Sequence, residues 1–180
     1  MSKKVAIVVG SLRKASWNRK VATELIRLSP DTMELEIVEI GELPLYNEDL
    51  ETNTPPPQWT NFRTKIESAN GVLFVTPEYN RTVPGGLKNA IDVGSRPYIS
   101  SVWKGKPAAI ISASTGAIGG FGSNHVLRQS LVFLGMPTLP HEAYIGGIDK
   151  LFDGNGVLAE STENFLKQFL GNYENWIARF

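Results

Sequence analysis

Short apolar runs alternate with segments of helical periodicity along the chain, and this alternation restricts the possible folds more than any other feature. The apolar runs lie at residues 5–9, 35–38, 72–75, 108–111 and, more weakly, 143–145. Apolar residues recur at helix spacing between them, most clearly over residues 160–179. Strands that alternate with helices favour a parallel sheet covered by helices on both faces. We therefore predict an α/β fold, an α/β/α sandwich of three layers.

The second apolar run differs from the others because acidic residues interrupt it. In "MELEIVEI", Glu34 and Glu36 separate the apolar residues, whereas "VAIVV", "VLFV" and "AAII" are apolar throughout. Alternation is typical of a half-buried edge strand, and continuous apolar runs are typical of central parallel strands. An edge strand that comes second, beside a central first strand, fits the order 2-1-3-4-5. We predict a five-stranded parallel sheet in this order, within a single domain over residues 1–180.

Composition and charge exclude several classes of function. The chain has no cysteine, so disulfides, thiolate nucleophiles and iron–sulfur ligation are ruled out, and redox work would need a bound cofactor. Eighteen basic residues balance eighteen acidic ones, so we expect no affinity for nucleic acid or membrane surfaces. His125 and His141 lack metal-ligand spacing, and no metal site is expected. Without a membrane-spanning run or a signal-peptide pattern, a cytoplasmic protein is predicted.

Three polar, glycine-containing loops follow strands that the predicted order makes neighbours. They are "GSLRKASWN" (10–18), "TPEYNRTVPGG" (76–86) and "SASTGAIGGFG" (112–122), after the first, third and fourth strands. In an open parallel sheet, ligands bind beyond the carboxyl ends of the strands, where the strand order reverses. The three loops would form one continuous rim there. We predict that this rim holds a ligand.

The first loop has the donors of an anion site. It leads into a helix, and a helix N-terminus offers free N–H groups and a partial positive charge. Ser11, Ser16 and Asn18 add polar side chains, and the Arg13 guanidinium suits phosphate oxygens. A helix cap by Ser16 or Asn18, with Arg13 solvated, is the alternative, and both can hold at once. Because the chain has neither a Walker A pattern nor GxGxxG, a single terminal phosphate fits better than a triphosphate or pyrophosphate.

The second and third loops suit a flat heteroaromatic ring. Pro77 and Pro84 stiffen the second loop, while Gly85 and Gly86 allow a close approach to its backbone. The third loop is small and rich in glycine, which suits a ring face or a pyrimidine edge. A proline-bounded turn and a flexible connector are the respective alternatives.

The motifs of the three loops resemble those of the NAD(P)H-dependent FMN reductase family. The stretches "GSLRKASWN", "TPEYNRTVPGGLKNAID" and "SASTGAIGG…LRQSLVFLG" occur in the family's order, and the resemblance covers residues 5 to about 148. It is strongest toward the bacterial quinone and chromate reductases and their azoreductase relatives. The resemblance implies a flavodoxin-like fold, non-covalently bound FMN, NAD(P)H as co-substrate, and a homodimer or homotetramer with the flavin near the subunit interface.

The resemblance also implies which residues contact FMN. The phosphate would be bound by Ser11, Arg13, Ser16 and Asn18, together with the backbone at Trp17. The isoalloxazine would be lined by Pro77, Glu78, Tyr79 and Asn80. The pyrimidine end would be contacted by Ser112, Ser114, Thr115 and Gly116. The isoalloxazine contacts would come mainly from backbone N–H groups near N5 and O4. Arg81 is a candidate for binding an anionic acceptor or the 2′-phosphate of NADPH, with a solvated surface arginine as the alternative. No side chain is expected to be an obligatory acid or base, since the flavin carries the chemistry.

The function that the resemblance implies is a two-step exchange. NAD(P)H gives hydride to the flavin and leaves, and a small acceptor then takes the electrons: a quinone, chromate, an azo or nitro compound, or free flavin. A flavodoxin-type electron carrier, which does not oxidise NAD(P)H itself, is the alternative, but such carriers tend to be strongly acidic and this chain is neutral. A hydrolase or a small-molecule sensor has less support, because the chain has only two histidines and no GxSxG elbow.

Overall fold

A five-stranded parallel sheet forms the centre of the computed structural model, which describes residues 2–180. Its strands are β1 (Lys3–Val9), β2 (Met33–Ile37), β3 (Gly71–Thr76), β4 (Ala108–Ala113) and β5 (Ala143–Ile145). They lie in the order β2-β1-β3-β4-β5, and every neighbouring pair is parallel. This confirms the predicted sheet and its strand order. In β2, Glu34 and Glu36 are exposed while Met33 and Leu35 are buried, as expected of an edge strand.

Five helices cover the sheet. They are α1 (Trp17–Arg27), α2 (Pro57–Ser68), α3 (Gly85–Gly94), α4 (Phe121–Phe133) and α5 (Glu160–Ile177). The sequence analysis identified no helix at the position of α2. Pro57 is the first residue of that helix, a position that tolerates proline because its N–H would have no helical partner. The missed signal is the spacing of Trp59, Phe62 and Ile66, the buried residues of α2.

Two apolar layers separate the helices from the sheet. One layer packs α1 and α5 against residues such as Ile7 and Leu73, and the other packs α2, α3 and α4 against residues such as Val8 and Phe74. Alternate residues of β1 and β3 therefore face opposite layers, and all of them need to be apolar. The central strands are continuous apolar runs for this reason.

The glycine at the end of α3 lies directly against a buried tryptophan. Trp103 has no exposed surface, and its Nε1 donates to the carbonyl of Ile91 at 2.9 Å. A Cβ placed on Gly94 would come within 2.5 Å of the indole ring. Glycine thus permits the close packing of α3 on Trp103, since any larger residue would displace the ring.

We expect Gly94→Ala to lower the free energy of unfolding by about 1–3 kcal/mol, the usual effect of overpacking a core. Gly171→Ala in α5 is the matched control, because a Cβ there would meet nothing within 4 Å. That substitution should instead stabilise the protein by up to ~1 kcal/mol through helix propensity. Urea denaturation of both variants measures the difference. Equal effects would show that Gly94 is not packed as the structure shows.

Candidate functional site

The loops after β1, β3 and β4 meet at the carboxyl edge of the sheet. Asn18, in the first turn of α1, donates from Nδ2 to the carbonyl of Ala113 at the end of β4, at 3.1 Å. The hydroxyls of Thr76, the last residue of β3, and Ser123 in α4 lie 3.4 Å apart. These contacts link all three loops. The structure therefore brings the three predicted segments together, which follows from the adjacency of their strands.

The first loop combines a helix cap with open backbone donors. The Oγ atom of Ser16 accepts a hydrogen bond from the N–H of Arg19 at 3.1 Å and so caps α1. The N–H groups of Trp17 and Asn18 donate to no group within residues 2–180. The helix cap suggested by the sequence is therefore present, and it leaves two N–H groups open at the positive end of the helix, where an anion could bind.

Three basic side chains of the first loop and α1 line a neighbouring cavity. This cavity of about 370 Å³ adjoins the loop and is lined by Ser11, Leu12, Arg13, Lys14 and Arg19, together with Val38, Glu39 and Gly41. The guanidinium of Arg19 is bound to the Glu39 carboxylate, and this hydrogen bond holds the pKa of Glu39 below its usual value. Arg13 is exposed and forms no ion pair within the described residues. Arg13 is therefore the guanidinium that is free to meet a phosphate.

Asn18 carries a buried acceptor without a donor. The residue is 4% exposed, and its Oδ1 atom has no hydrogen-bond partner in the described part of the chain. A buried polar atom without a partner is destabilising, so it indicates that a bound molecule supplies the missing donor. A ligand hydroxyl at this position would satisfy it.

The second loop contains a tight turn with unusual backbone angles. Tyr79 and Thr82 exchange two backbone hydrogen bonds of 3.0 Å. Between them, Asn80 and Arg81 have φ values of 51° and 64°. Two consecutive residues at positive φ define a type I′ turn, and for arginine this conformation is strained. The N–H groups of Asn80 and Arg81 donate to nothing in residues 2–180, so both are available to acceptor atoms of a ring.

The side chain of Glu78 is bonded to the first turn of α4. Its Oε2 atom accepts from the N–H groups of Gly122 at 2.7 Å and Ser123 at 3.3 Å. Its Oε1 atom lies 3.3 Å from Nη1 of Arg81, which is itself largely exposed. Glu78 thus binds the start of α4, a contact that no motif in the sequence indicated.

The third loop contributes an exposed and a buried part. Thr115 and Gly116 are exposed, and the Gly116 N–H donates to Oγ of Ser114 at 3.1 Å. Ser112, by contrast, is fully buried, and its hydroxyl accepts from Nδ2 of Asn124 at 3.3 Å. The Ser112 hydroxyl therefore lies beneath the rim and supports it from below. Because the Ser112 side chain is fully buried, its burial disfavours a direct contact with a ligand.

A cluster of ionisable groups that the sequence analysis did not identify lies between α4 and β5. The Oη atom of Tyr144 is 3.0 Å from Nε2 of His125. Partial burial, followed by a hydrogen bond with Glu142, raises the pKa of Tyr144 to about 12. The phenol therefore stays neutral above the pH at which an ordinary tyrosine ionises. In residues 2–180, no three histidine, aspartate or glutamate side chains are grouped to bind a metal ion, and no helix has the length and apolarity to cross a membrane.

A parallel sheet in the order 2-1-3-4-5, with the loops after β1, β3 and β4 together at its carboxyl edge, defines a flavodoxin-like fold. A cysteine variant of flavodoxin from Pseudomonas aeruginosa shares this fold, with a TM-score of 0.59 and 17% identity over 95% of this chain and 99% of that one. The chain belongs to the NADPH-dependent FMN reductase family, whose profile matches residues 3–150. The resemblance seen in the three loops is thereby confirmed.

Individual members of the family are similar over nearly the whole chain. A quinone reductase of Pseudomonas putida is 59% identical over 174 residues, which cover 96% of this chain and 94% of that protein. The flavoenzyme NAD(P)H:(acceptor) oxidoreductase FerB from Paracoccus denitrificans has a TM-score of 0.90 and 39% identity, covering 98% of both chains. The protein is accordingly an oxidoreductase that uses FMN and NAD(P)H.

The residues of the rim fit FMN. The open N–H groups of Trp17 and Asn18, with Arg13, suit a single phosphate. The unpartnered Oδ1 atom of Asn18 suits a ribityl hydroxyl, and the free N–H groups of Asn80 and Arg81 suit acceptor atoms of the flavin ring. These donors, with the Oδ1 acceptor of Asn18, thus match the phosphate, the ribityl chain and the ring of the cofactor.

We expect Arg13→Ala to weaken FMN binding about tenfold or more while leaving stability nearly unchanged, because a charge-assisted hydrogen bond is lost from an exposed residue. Ser16→Ala with Asn18→Ala should weaken FMN binding and also lower the stability, because Ser16 caps α1 and Asn18 donates to the carbonyl of Ala113. Fluorescence titration of the apoprotein with FMN gives the dissociation constant, and thermal unfolding gives the stability. Arg27→Ala, at the opposite end of α1, is the control. Full flavin content and unchanged affinity in Arg13→Ala would contradict a phosphate site in this loop.

Proposed function

We propose that the protein oxidises NAD(P)H and passes the hydride through bound FMN to quinones by a ping-pong mechanism. The observation that carries this proposal is the rim of open backbone donors on three adjacent loops, in a chain that belongs to the FMN reductase family. A relative with 59% identity is named quinone reductase, which favours quinones among the possible acceptors. Chromate, azo and nitro compounds and free flavin remain further candidate acceptors.

The residues of the chain bind and orient, while the cofactor reacts. Bound FMN supplies the ability to accept hydride from a nicotinamide and to release two electrons to an acceptor. The first loop anchors the phosphate through Arg13 and the α1 N-terminus, and the turn at residues 79–82 presents N–H groups to the ring. Tyr79 and Ile118, on the second and third loops, are 46% and 55% exposed. Exposed apolar side chains at the rim suit contact with planar rings. Because the rim offers a single open site, NAD(P)H and the quinone would bind there one after the other.

Arg81 is the candidate for contact with charged substrates. Its side chain is 77% exposed, and its ion pair with Glu78 at 3.3 Å is too solvated to hold it firmly. An anionic acceptor or the 2′-phosphate of NADPH could therefore recruit this guanidinium with little loss elsewhere. This role of the Arg81 side chain is distinct from that of the backbone N–H groups at residues 80 and 81, which are proposed to contact the flavin ring.

We expect anaerobic mixing of the FMN-loaded protein with NADPH or NADH to bleach the flavin absorbance, and later addition of a benzoquinone to restore it. Steady-state rates measured over a range of NAD(P)H concentrations, at several fixed quinone concentrations, should give parallel double-reciprocal lines, the pattern of a ping-pong mechanism. The apoprotein without FMN is the control. If neither nucleotide bleaches the flavin, the protein is instead an electron carrier of the flavodoxin type.

A homodimer or homotetramer is the assembly that we propose. Phe121, His125 and Val132 lie on one face of α4, since they are spaced four and seven residues apart. Phe121 and Val132 are 50% and 63% exposed in the single chain. Apolar side chains that share a face favour contact with another protein surface.

Light scattering should give a mass of two or four chains of 19.8 kDa each. Val132→Asp should shift the distribution toward smaller species, because it places a charge on the proposed interface. Lys167→Asp, an exposed position on α5, is the control. A mass of one chain in the unsubstituted protein would contradict the assembly.

Two proposals concern the chain as a whole. We infer a single domain, because both apolar layers lie against one sheet. A cytoplasmic location stays a prediction from the sequence.

A further inference from the structure

We propose that Glu78 is a positioning residue, which fixes the loop after β3 on the N-terminus of α4 and so holds the turn at residues 79–82 in the shape that receives the flavin ring. This inference rests on the proposed FMN site. It gives Glu78 a task different from lining the ring. The side chain acts on the flavin through the backbone of the loop.

The carboxylate of Glu78 is engaged by α4. One oxygen accepts from the N–H groups of Gly122 at 2.7 Å and Ser123 at 3.3 Å. The side chain is only 12% exposed. A direct contact with the flavin through Oε2 would require these charge-assisted hydrogen bonds to be broken.

The start of α4 depends on this carboxylate for a cap. The residue before the helix is Gly120, in the left-handed region at φ 77°, and it offers no side chain to the first N–H groups. Glu78 supplies the missing acceptor from another loop and also places a negative charge at the positive end of the helix dipole. The contact therefore stabilises both of the segments it joins.

Glycine at position 122 makes the close contact possible. A Cβ on Gly122 would lie 3.0 Å from Oε2 of Glu78 and 3.1 Å from the carbonyl oxygen of Arg81. Both the carboxylate and the backbone of the turn thus pack directly on the backbone of α4. The second and third loops of the rim are joined here, in addition to the contact of Thr76 with Ser123, so the position of one loop depends on that of the other.

The turn that follows Glu78 needs such an anchor. Asn80 and Arg81 both have positive φ, a conformation that is disfavoured for residues with a Cβ and persists only where the surroundings hold it. The two backbone hydrogen bonds between Tyr79 and Thr82 close the turn but do not attach it to the rest of the protein. Without Glu78, the free protein would populate other loop conformations, and FMN binding would have to select the competent one.

The test compares Glu78→Ala, which removes the acceptor, with Glu78→Gln, which keeps a neutral acceptor for the N–H of Gly122. Glu160→Ala is the control, because Glu160 places a carboxylate at the start of a different helix, in the first turn of α5. Circular dichroism and thermal unfolding establish that each variant is folded. The measurements are the dissociation constant of FMN, the midpoint potential of the bound flavin and the amide hydrogen exchange of the apoprotein.

We expect Glu78→Ala to raise the dissociation constant of FMN about tenfold, because a charge-assisted hydrogen bond that holds the loop is lost. Exchange at the amides of Thr82, Gly122 and Ser123 should become faster together in its apoprotein. Glu78→Gln should stay within about threefold of the unsubstituted protein in affinity, with a nearly unchanged midpoint potential, because a neutral hydrogen bond retains part of the interaction. Glu160→Ala should change none of these values.

Three results would overturn the proposal. Equal losses in the alanine and glutamine variants, with a shared shift in midpoint potential, would show that the negative charge itself acts on the flavin. Unchanged FMN affinity in Glu78→Ala would show that the loop needs no anchor. Unchanged hydrogen exchange in that variant would show that Glu78 does not join the two segments. If the unsubstituted protein bound no FMN, the proposed function would fail, while hydrogen exchange would still decide whether Glu78 joins the loops.

Discussion

Parallel pairing of β1, β3 and β4, buried on both faces, is the constraint on which the rest of the structure depends. Parallel strands place all their carboxyl ends at one edge, and the order 2-1-3-4-5 makes the loops after these three strands neighbours. Burial on both faces leaves no room for a ligand along the sheet itself. Polar chemistry is therefore confined to the loops at that edge, where helix N-termini leave backbone N–H groups without partners.

The first N–H groups of α1 and α4 are bound in two different ways at this edge. The two helix N-termini therefore differ in what they leave open to a ligand. At α1, Ser16 takes the N–H of Arg19 and leaves those of Trp17 and Asn18 open. At α4, a carboxylate from another loop takes the N–H groups of Gly122 and Ser123. An anionic ligand is consequently favoured at α1, whereas α4 already holds a negative charge. This charge pattern favours the proposed orientation of FMN, with its phosphate at α1.

The sequence predicted the fold and the position of the site more fully than the detailed role of each residue. Strand order followed from the contrast between the interrupted run at Glu34 and the continuous central runs, which depends only on burial. The helix that begins at Pro57 was missed because proline signals a break unless its position in the helix is known. The bond from Glu78 to α4 joins residues 44 positions apart, and no local pattern reports such a contact. The burial of the Ser112 hydroxyl is likewise a tertiary property.

The same sheet supports electron carriers and enzymes, so the difference between them has to lie in the loops and in the charge of the surface. The flavodoxin of Pseudomonas aeruginosa shares the fold at 17% identity, whereas the flavoenzyme FerB shares 39% over 98% of the chain. Balanced charge removes the long-range field that steers a carrier to a protein partner. An open rim with exposed Tyr79 and Ile118 offers apolar area to small planar molecules instead. Surface charge and rim shape thus both favour exchange with small substrates, consistent with membership of a reductase family.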